Sequence, residues 1–262
     1  MWNYPILDPV ALDLGLITVH WYAISYLVGI ALVWWTVIIR NRSYGHGWTK
    51  DTISDLITYA VFGVVCGGRI GYILFYDFQQ FIADPLTLVK IWQGGMSFHG
   101  GLLGVLLATV LYVRRTEKNF IDTMDLIAPS VPLALGCGRI GNFINAELPG
   151  RVTEVPWGVV YPGEMLSRHP SSLYQAFMEG VVLFSIMWLY AAADRPRMAV
   201  SGMFLLGYGL IRCFTELFRQ PDAHIGFLVP AWLTLGQLLS LPMILIGLSM
   251  LVISYHNVNY QK

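Results

Sequence analysis

The sequence predicts an all-α polytopic membrane protein of about seven transmembrane helices, with its N-terminus outside and its C-terminus in the cytoplasm. Three observations carry that prediction: composition, the recurrence of bilayer-length apolar runs, and the distribution of basic residues between alternate connections. The chain of 262 residues is 56% hydrophobic and 12% charged, and its mean hydropathy is +0.59. Soluble domains carry about 25% charged residues, so there is too little charge here to coat a water-soluble globule. Nine Trp, 14 Tyr and 13 Phe suit aromatic belts at two bilayer interfaces, and 26 Gly suit helices that must approach closely in lipid.

A helix needs about 20 mostly apolar residues to cross a hydrocarbon core about 30 Å thick. Seven runs meet that need: 21–39, 53–76, 96–113, 120–137, 173–193, 200–218 and 233–255. The stretch 6–19 carries Asp8 and Asp13 and is too short to span, so it is expected to lie at the interface. No Lys or Arg precedes Arg40, so the basic n-region of a cleavable signal is missing and insertion is expected to rest on the spans themselves.

Orientation follows from the basic residues of short loops. With the N-terminus outside, the inner side receives nine: Arg40, Arg42, Lys50, Arg114, Arg115, Lys118, Arg195, Arg197 and Lys262. The outer loops keep four, Lys90, Arg151, Arg168 and Arg219. Two outer connections are long. Residues 77–95 carry Phe78, Phe81, Ile82, Leu86, Leu88, Val89, Ile91 and Trp92 and are expected to form an amphipathic arm on the membrane surface. Residues 139–172, rich in Pro and Gly, are expected to form a small head outside the bilayer.

Three arginines remain, Arg69, Arg139 and Arg212, within or at the edge of apolar runs, where a charge costs at least a few kcal/mol. On the assigned topology, Gly67-Gly68-Arg69 ends the second span outside, Ser97-Phe98-His99-Gly100-Gly101 opens the third there, and Gly138-Arg139-Ile140-Gly141-Asn142 ends the fourth. Tyr208, Arg212 and Glu216 recur every four residues as one helical stripe, and His20-Trp21-Tyr22 opens the first span. These groups are expected to meet in one outer-facing layer. Several guanidiniums in an apolar surround suit an anionic phosphate at headgroup depth, because they recognise phosphate oxygens bidentately and stay charged. Each arginine taken singly reads equally well as a structural ion pair, for instance with Glu216. His99 reads either as a hydrogen-bonded helix-start residue or as a neutral imidazole able to accept a proton.

Other chemistries lack their signatures. There is no His-Glu-x-x-His zinc site, no Gly-x-x-x-x-Gly-Lys phosphate loop and no Gly-x-Ser-x-Gly elbow, so neither a metal nor a nucleotide cofactor is expected. The 16 Lys+Arg balance 16 Asp+Glu, which argues against nucleic acid as a partner. Cys66, Cys137 and Cys213 are expected to be buried, inert thiols.

The motifs Ser97-Phe98-His99-Gly100-Gly101, Gly138 through Glu147 (Gly-Arg-Ile-Gly-Asn-Phe-Ile-Asn-Ala-Glu), Arg168-His169-Pro170-Ser171, and Gly207-Tyr208-Gly209 through Arg212, Glu216 and Phe218-Arg219-Gln220-Pro221-Asp222 resemble those of the bacterial phosphatidylglycerol:prolipoprotein diacylglyceryl transferases. The resemblance runs from about His20 to the last span. It implies transfer of the diacylglyceryl group of phosphatidylglycerol to the lipobox cysteine thiol of a prolipoprotein signal peptide, with release of glycerol phosphate, in the inner membrane. It also implies one transmembrane catalytic domain over 1–262, with surface arms and a periplasmic head. The family's functional positions fall on Tyr22, His99, Arg139, Asn142, Glu147, Tyr208, Arg212 and Glu216, with Arg139 at the phosphatidylglycerol-binding position; Arg69 joins them as a candidate substrate ligand. His99 is the candidate base, and Glu147 and Glu216 either fix the arginines or share the acid-base work. Where relatives often have Gln and Glu after the Arg168–Ser171 motif, at the first and last of four positions, this chain has Ser172 and Gln175. A lipid transporter and a lipid-binding scaffold are the competing readings of the same charges.

Overall fold

A computed structural model describes residues 2–5, 7–15, 18–44, 48–221, 227–229 and 233–259. Asp222 and Lys262 lie outside the described residues, as does the side chain of Arg42. Helices occupy each of the seven apolar runs: α1 (Trp21–Tyr44), α2 (Lys50–Tyr76), α4 (Phe98–Arg115), the pair α5 (Phe120–Ile127) and α6 (Val131–Ile144), the stretch Ser171–Tyr190, α9 (Ala199–Thr215) and α10 (Leu235–Asn259). A short α3 (Phe78–Ala83) follows α2. The stretch from Ser171 is composite, with α7 (Ser171–Gln175) passing through a π-helical turn at Ala176–Val182 into α8 (Leu183–Tyr190).

Among these, Trp21–Asn41, Lys50–Tyr76, Ser171–Tyr190 and Leu235–Asn257 are long and apolar enough to cross a membrane, and a fifth span is added if α5 and α6, bent by 56°, count as one. The chain is therefore a multi-pass membrane protein. Helix α9, with 17 residues, is shorter than these, and α4, with 18 residues that end on Arg114 and Arg115, is less apolar. The α5–α6 bend sits beside Pro132, which has no N–H to continue the helical ladder.

The described residues divide into two compact units, Met1–Val37 with Met124–Lys262, and Ile38–Thr123. In the second unit, α2 begins with a capping box between Thr49 and Thr52 and packs along α4 through glycines four residues apart. A Cβ on Gly71 would lie 2.8 Å from the Gly100 Cα, and one on Gly63 would lie 2.8 Å from the Ala108 Cβ, so only glycine permits this approach in a setting without a hydrophobic drive between helices. After α2 come α3 and two 3₁₀ turns, Pro85–Leu88 and Ile91–Gln93, with Phe78, Ile82, Leu86, Val89, Ile91 and Trp92 exposed. The Lys90 ammonium meets Asp84 at 2.6 Å and holds that carboxyl below the usual carboxylate range.

In the first unit, Ala128, Leu183, Met187, Ala191, Val200 and Tyr208 form the apolar core. Helix α6 lies against the π turn so closely that a Cβ on Gly136 would come within 2.9 Å of the Gly180 Cα. Gly136→Leu is therefore expected to cost about 1–3 kcal/mol of stability by overpacking, whereas Gly101→Ala, whose new methyl would find its nearest neighbour at 3.6 Å, is expected to be neutral. Thermal unfolding of the two purified variants checks this.

The N-terminal residues form short strands: β1 (Trp2–Asn3) pairs in parallel with β4 (Val159–Val160), and β2 (Val10–Asp13) pairs with β3 (Thr18–His20). Two further short strands, β5 (Phe227–Val229) and β6 (Leu233–Thr234), precede α10. The Tyr4 hydroxyl donates to the carbonyls of Phe143 (2.7 Å) and Ile144 (2.8 Å), and its ring stacks on Tyr161, so the N-terminal residues pack against the end of α6 and the segment that follows it. The glycine-rich motif around Arg139 stays helical to Ile144, and the helix is capped by Asn145. The cysteines are not sealed as expected: Cys66 is exposed and Cys137 and Cys213 are half-buried.

Candidate active site

Helix α9 carries Tyr208 and Arg212 four residues apart, with Glu216 as its C-cap, and the three form one buried stripe. A buried guanidinium is tolerated only if it is paired, and Arg212 is paired twice. Its Nη2 lies 2.7 Å from Glu216 Oε2 and its Nη1 lies 3.6 Å from Glu179 Oε1. The second distance is ionic but leaves Nη1 without a hydrogen bond among the described residues. Glu179 is wholly buried in the π turn. Its other oxygen accepts from Arg139 Nε at 3.1 Å, and Thr215 Oγ1 donates to Oε1 at 3.3 Å. The Arg139 guanidinium also lies beside the Tyr208 hydroxyl. One carboxylate thus bridges arginines from α6 and α9.

Glu216 is held in turn by Thr234 Oγ1, which donates at 3.2 Å, and lies 3.8 Å from Arg219 Nη1. In these ion pairs Arg139 and Arg212 meet Glu179, and Arg212 and Arg219 meet Glu216. The π turn matters locally because a wider turn shifts side-chain register, while Gly180 beside it lets the two backbones close until the Glu179 side chain reaches Arg139.

Three residues along α6 from Arg139, and so on a neighbouring face of the same helix, Asn142 Nδ2 donates to Glu147 Oε2 at 2.9 Å; Asn145 Nδ2 donates to the other oxygen at 3.2 Å. Glu147 itself is exposed. It sits between Ala146 (φ 54°) and Leu148 (φ 55°), both in the left-handed region that costs a non-glycine residue roughly 1–2 kcal/mol. Tertiary bonds hold that turn: Ser172 Oγ donates to the Glu147 carbonyl at 3.1 Å and Ser171 Oγ to the Leu148 carbonyl at 2.7 Å. Tyr22 joins from α1, with its hydroxyl 3.1 Å from Tyr26 and beside Asn142 and Glu147. A Cβ on Gly141 would strike Ser25 Oγ at 2.5 Å and the Tyr22 ring at 2.9 Å, so glycine sets how near α1 approaches α6.

The first unit therefore assembles Tyr22, Arg139, Asn142, Glu147, Tyr208, Arg212 and Glu216. His99 and Arg69 belong to the other unit. His99 is exposed at the start of α4, its ring edge-on to Phe98 at 5.6 Å. Arg69 is buried with its N–H groups donated to backbone carbonyls, Nε to Thr87 at 3.2 Å, Nη1 to Gly95 at 3.2 Å and to Gly94, and Nη2 to Thr87. Its observed partners are those of an anchor for the 84–95 segment. Glu179 is the residue that sequence reasoning missed. It is the single charged side chain in the run 173–193, and an acid isolated in a span is itself a signal of a buried partner. Among the described residues no three His, Cys, Asp or Glu side chains are grouped as a metal site.

Residues 9–253 match the family model of prolipoprotein diacylglyceryl transferase. The chain belongs to the prolipoprotein diacylglyceryl transferase family. It is 52% identical over 257 residues to the phosphatidylglycerol–prolipoprotein diacylglyceryl transferase of Ectopseudomonas mendocina (strain ymp), covering 97% of each chain. It is 55% identical over 248 residues to the protein of that name from Coxiella burnetii (strain RSA 331 / Henzerling II), covering 94% of this chain and 95% of the relative. It is 51% identical over 249 residues to that of Legionella pneumophila (strain Lens), covering 95% and 97%. In this diacylglyceryl transferase family member an aromatic cluster lies between Trp157 and Phe218. Trp157 Nε1 donates to the Tyr174 hydroxyl at 2.7 Å, and the His169 and Tyr174 rings, tilted to each other, each pack edge to face with Phe218. Burial lowers the His169 pKa below its ordinary value, and burial pushes the Tyr161 hydroxyl up to about 12.

Proposed function

We propose that this diacylglyceryl transferase moves the diacylglyceryl group of phosphatidylglycerol onto the thiol of the lipobox cysteine of a prolipoprotein, releasing glycerol phosphate, in the first step of lipoprotein maturation. The names of full-length relatives at 51–55% identity support the reaction. The observation that carries the assignment to a site is the Arg139–Glu179–Arg212 bridge, with Arg212 Nη1 buried and short of a hydrogen bond. A phosphodiester monoanion offers that open N–H an acceptor oxygen and both guanidiniums a charged partner.

In the mechanism, Arg139 and Arg212 hold the lipid phosphate. The cysteine thiolate attacks the glyceryl carbon that bears the phosphate, the new C–S bond replaces the C–O bond, and the electron pair leaves on the glycerol phosphate oxygen. Guanidiniums in a low-dielectric site stabilise that growing charge more than water would. His99 takes the thiol proton. Tyr22, Asn142 and Tyr208 orient substrate groups, and Glu147 and Glu216 fix the cationic side chains or share proton transfer. Arg69 secures the arm. Residues 1–262 act as one catalytic domain that crosses the inner membrane seven times with the N-terminus periplasmic and the C-terminus cytoplasmic. The arm 77–95 lies on the periplasmic surface, and the head drawn from 139–172 stands above the site. Helices in all seven apolar runs, and nine inner against four outer basic residues, support that placement.

Purified protein given phosphatidylglycerol and a lipobox peptide is expected to release glycerol phosphate and to yield a peptide heavier by one diacylglyceryl group. Lipid movement without a heavier peptide would instead make the chain a transporter, and neither outcome would leave a scaffold.

A further inference from the structure

A row of buried polar side chains runs along one side of α7 and its π-helical continuation: Ser171, Ser172, Gln175 and Glu179, each at most 1% exposed. Spacings of three and four residues keep them on neighbouring parts of one helix surface. Both ends of the row are accounted for. At the head end the two serines donate to the carbonyls of Leu148 and Glu147; at the other, Glu179 bridges Arg139 and Arg212. Gln175 lies between them, and neither its amide nitrogen nor its amide oxygen has a hydrogen-bond partner among the described residues.

A buried amide with its donors and acceptor open costs about 1–3 kcal/mol per unsatisfied group. Leucine or methionine would fill the same volume without that cost. The open groups therefore point to a ligand that brings the missing hydrogen bonds. Its chemistry can be read from the amide. A phosphodiester monoanion brings acceptors alone and would leave the amide carbonyl unmet, so the partner that answers both groups is a neutral polar one. It offers N–H donors and a C=O acceptor together, which a pair of adjacent hydroxyls satisfies at once, whereas an ammonium group would satisfy the carbonyl alone. Gln175 stands one turn, about 6 Å, toward the head from Glu179, about where a three-carbon polyol ester-linked to the arginine-held phosphate would extend.

Resting on the reaction proposed above, we infer that Gln175 is the residue that recognises the terminal glycerol of the phosphatidylglycerol headgroup, and so sets the enzyme's preference for a diol-bearing donor lipid. Gln175 touches the part of the lipid that departs as glycerol phosphate and takes no part in the proton transfer.

The test compares dioleoylphosphatidylglycerol with dioleoylphosphatidylpropanol, which keeps the phosphodiester and chain length but lacks both hydroxyls, as donors to a lipobox peptide. The full-length wild-type protein is expected to favour phosphatidylglycerol by at least about tenfold in kcat/KM, since a site built to bond a hydroxyl rejects the analogue without it. In Gln175→Leu that ratio is expected to fall to near one, mainly through a raised KM for phosphatidylglycerol, with no loss of thermal stability. Gln175→Met serves the same comparison if the leucine variant folds poorly. A wild-type ratio near one, or an unchanged ratio in a folded variant, overturns the role of Gln175. Failure of the wild-type protein to form a thioether from either lipid would overturn the proposed reaction itself, and Gln175's place in it.

Discussion

Arg139→Gln is expected to lower diacylglyceryl transfer by at least 10²-fold while the protein still inserts and folds. Glutamine retains an N–H donor for Glu179 but removes the charge that the departing phosphate needs, and loss of one such stabilising group costs about 10²–10³ in kcat. Complementation of a strain depleted of its own transferase, with the membrane level of the variant measured by immunoblot, gives the result. Normal lipoprotein modification by the variant would show that the Arg139 guanidinium is not used. Arg212→Gln should behave alike, because the two guanidiniums share Glu179 and act on one phosphate.

Glu179→Ala is the second large effect expected, and its character is different. Removing one member of a buried ion pair leaves uncompensated charge and costs about 3–5 kcal/mol. Here the loss exposes Arg139 and Arg212 to each other and also removes one of the two acceptors of Thr215 Oγ1, leaving it the Arg212 carbonyl. The variant should unfold at clearly lower temperature in detergent and transfer little. Glu179→Gln keeps an acceptor for Arg139 Nε, so it should recover much of the stability and less of the activity, with the deficit in the KM for phosphatidylglycerol. Wild-type stability and KM in both variants would mean that the bridge does nothing for the arginines.

Much of the helical layout was legible because a bilayer-length run of apolar residues is a long signal that few alternatives can imitate. The stripe Tyr208–Arg212–Glu216 was legible for a similar reason, as its four-residue spacing is helical geometry written directly in the chain. What escaped were features fixed by distant partners. Strands of two to four residues such as Trp2–Asn3 have no local pattern, and here Tyr4 is tied to the carbonyls of Phe143 and Ile144, some 140 residues away. The glycines around Arg139 resembled a helix end, yet Gly136 and Gly141 serve close packing within a helix that continues to Ile144.

Arg69 and Arg139 show the limit most clearly. Both stand in a Gly-Arg-Ile-Gly sequence near the end of an apolar run. In the folded chain one guanidinium meets backbone carbonyls of its own connection, and the other meets a buried carboxylate from a different helix. Local sequence was the same, and only tertiary partners separate the two. Glu179 was hidden for the converse reason: attention to cations left the lone acid of 173–193 unread, although any buried cation requires such a partner.

The most direct measurement is the position of the phosphate in a structure of the protein with phosphatidylglycerol bound. Phosphate oxygens within hydrogen-bonding distance of both Arg139 and Arg212 are the expected result. A phosphate held elsewhere, with the Arg139–Glu179–Arg212 bridge intact and unliganded, would contradict it.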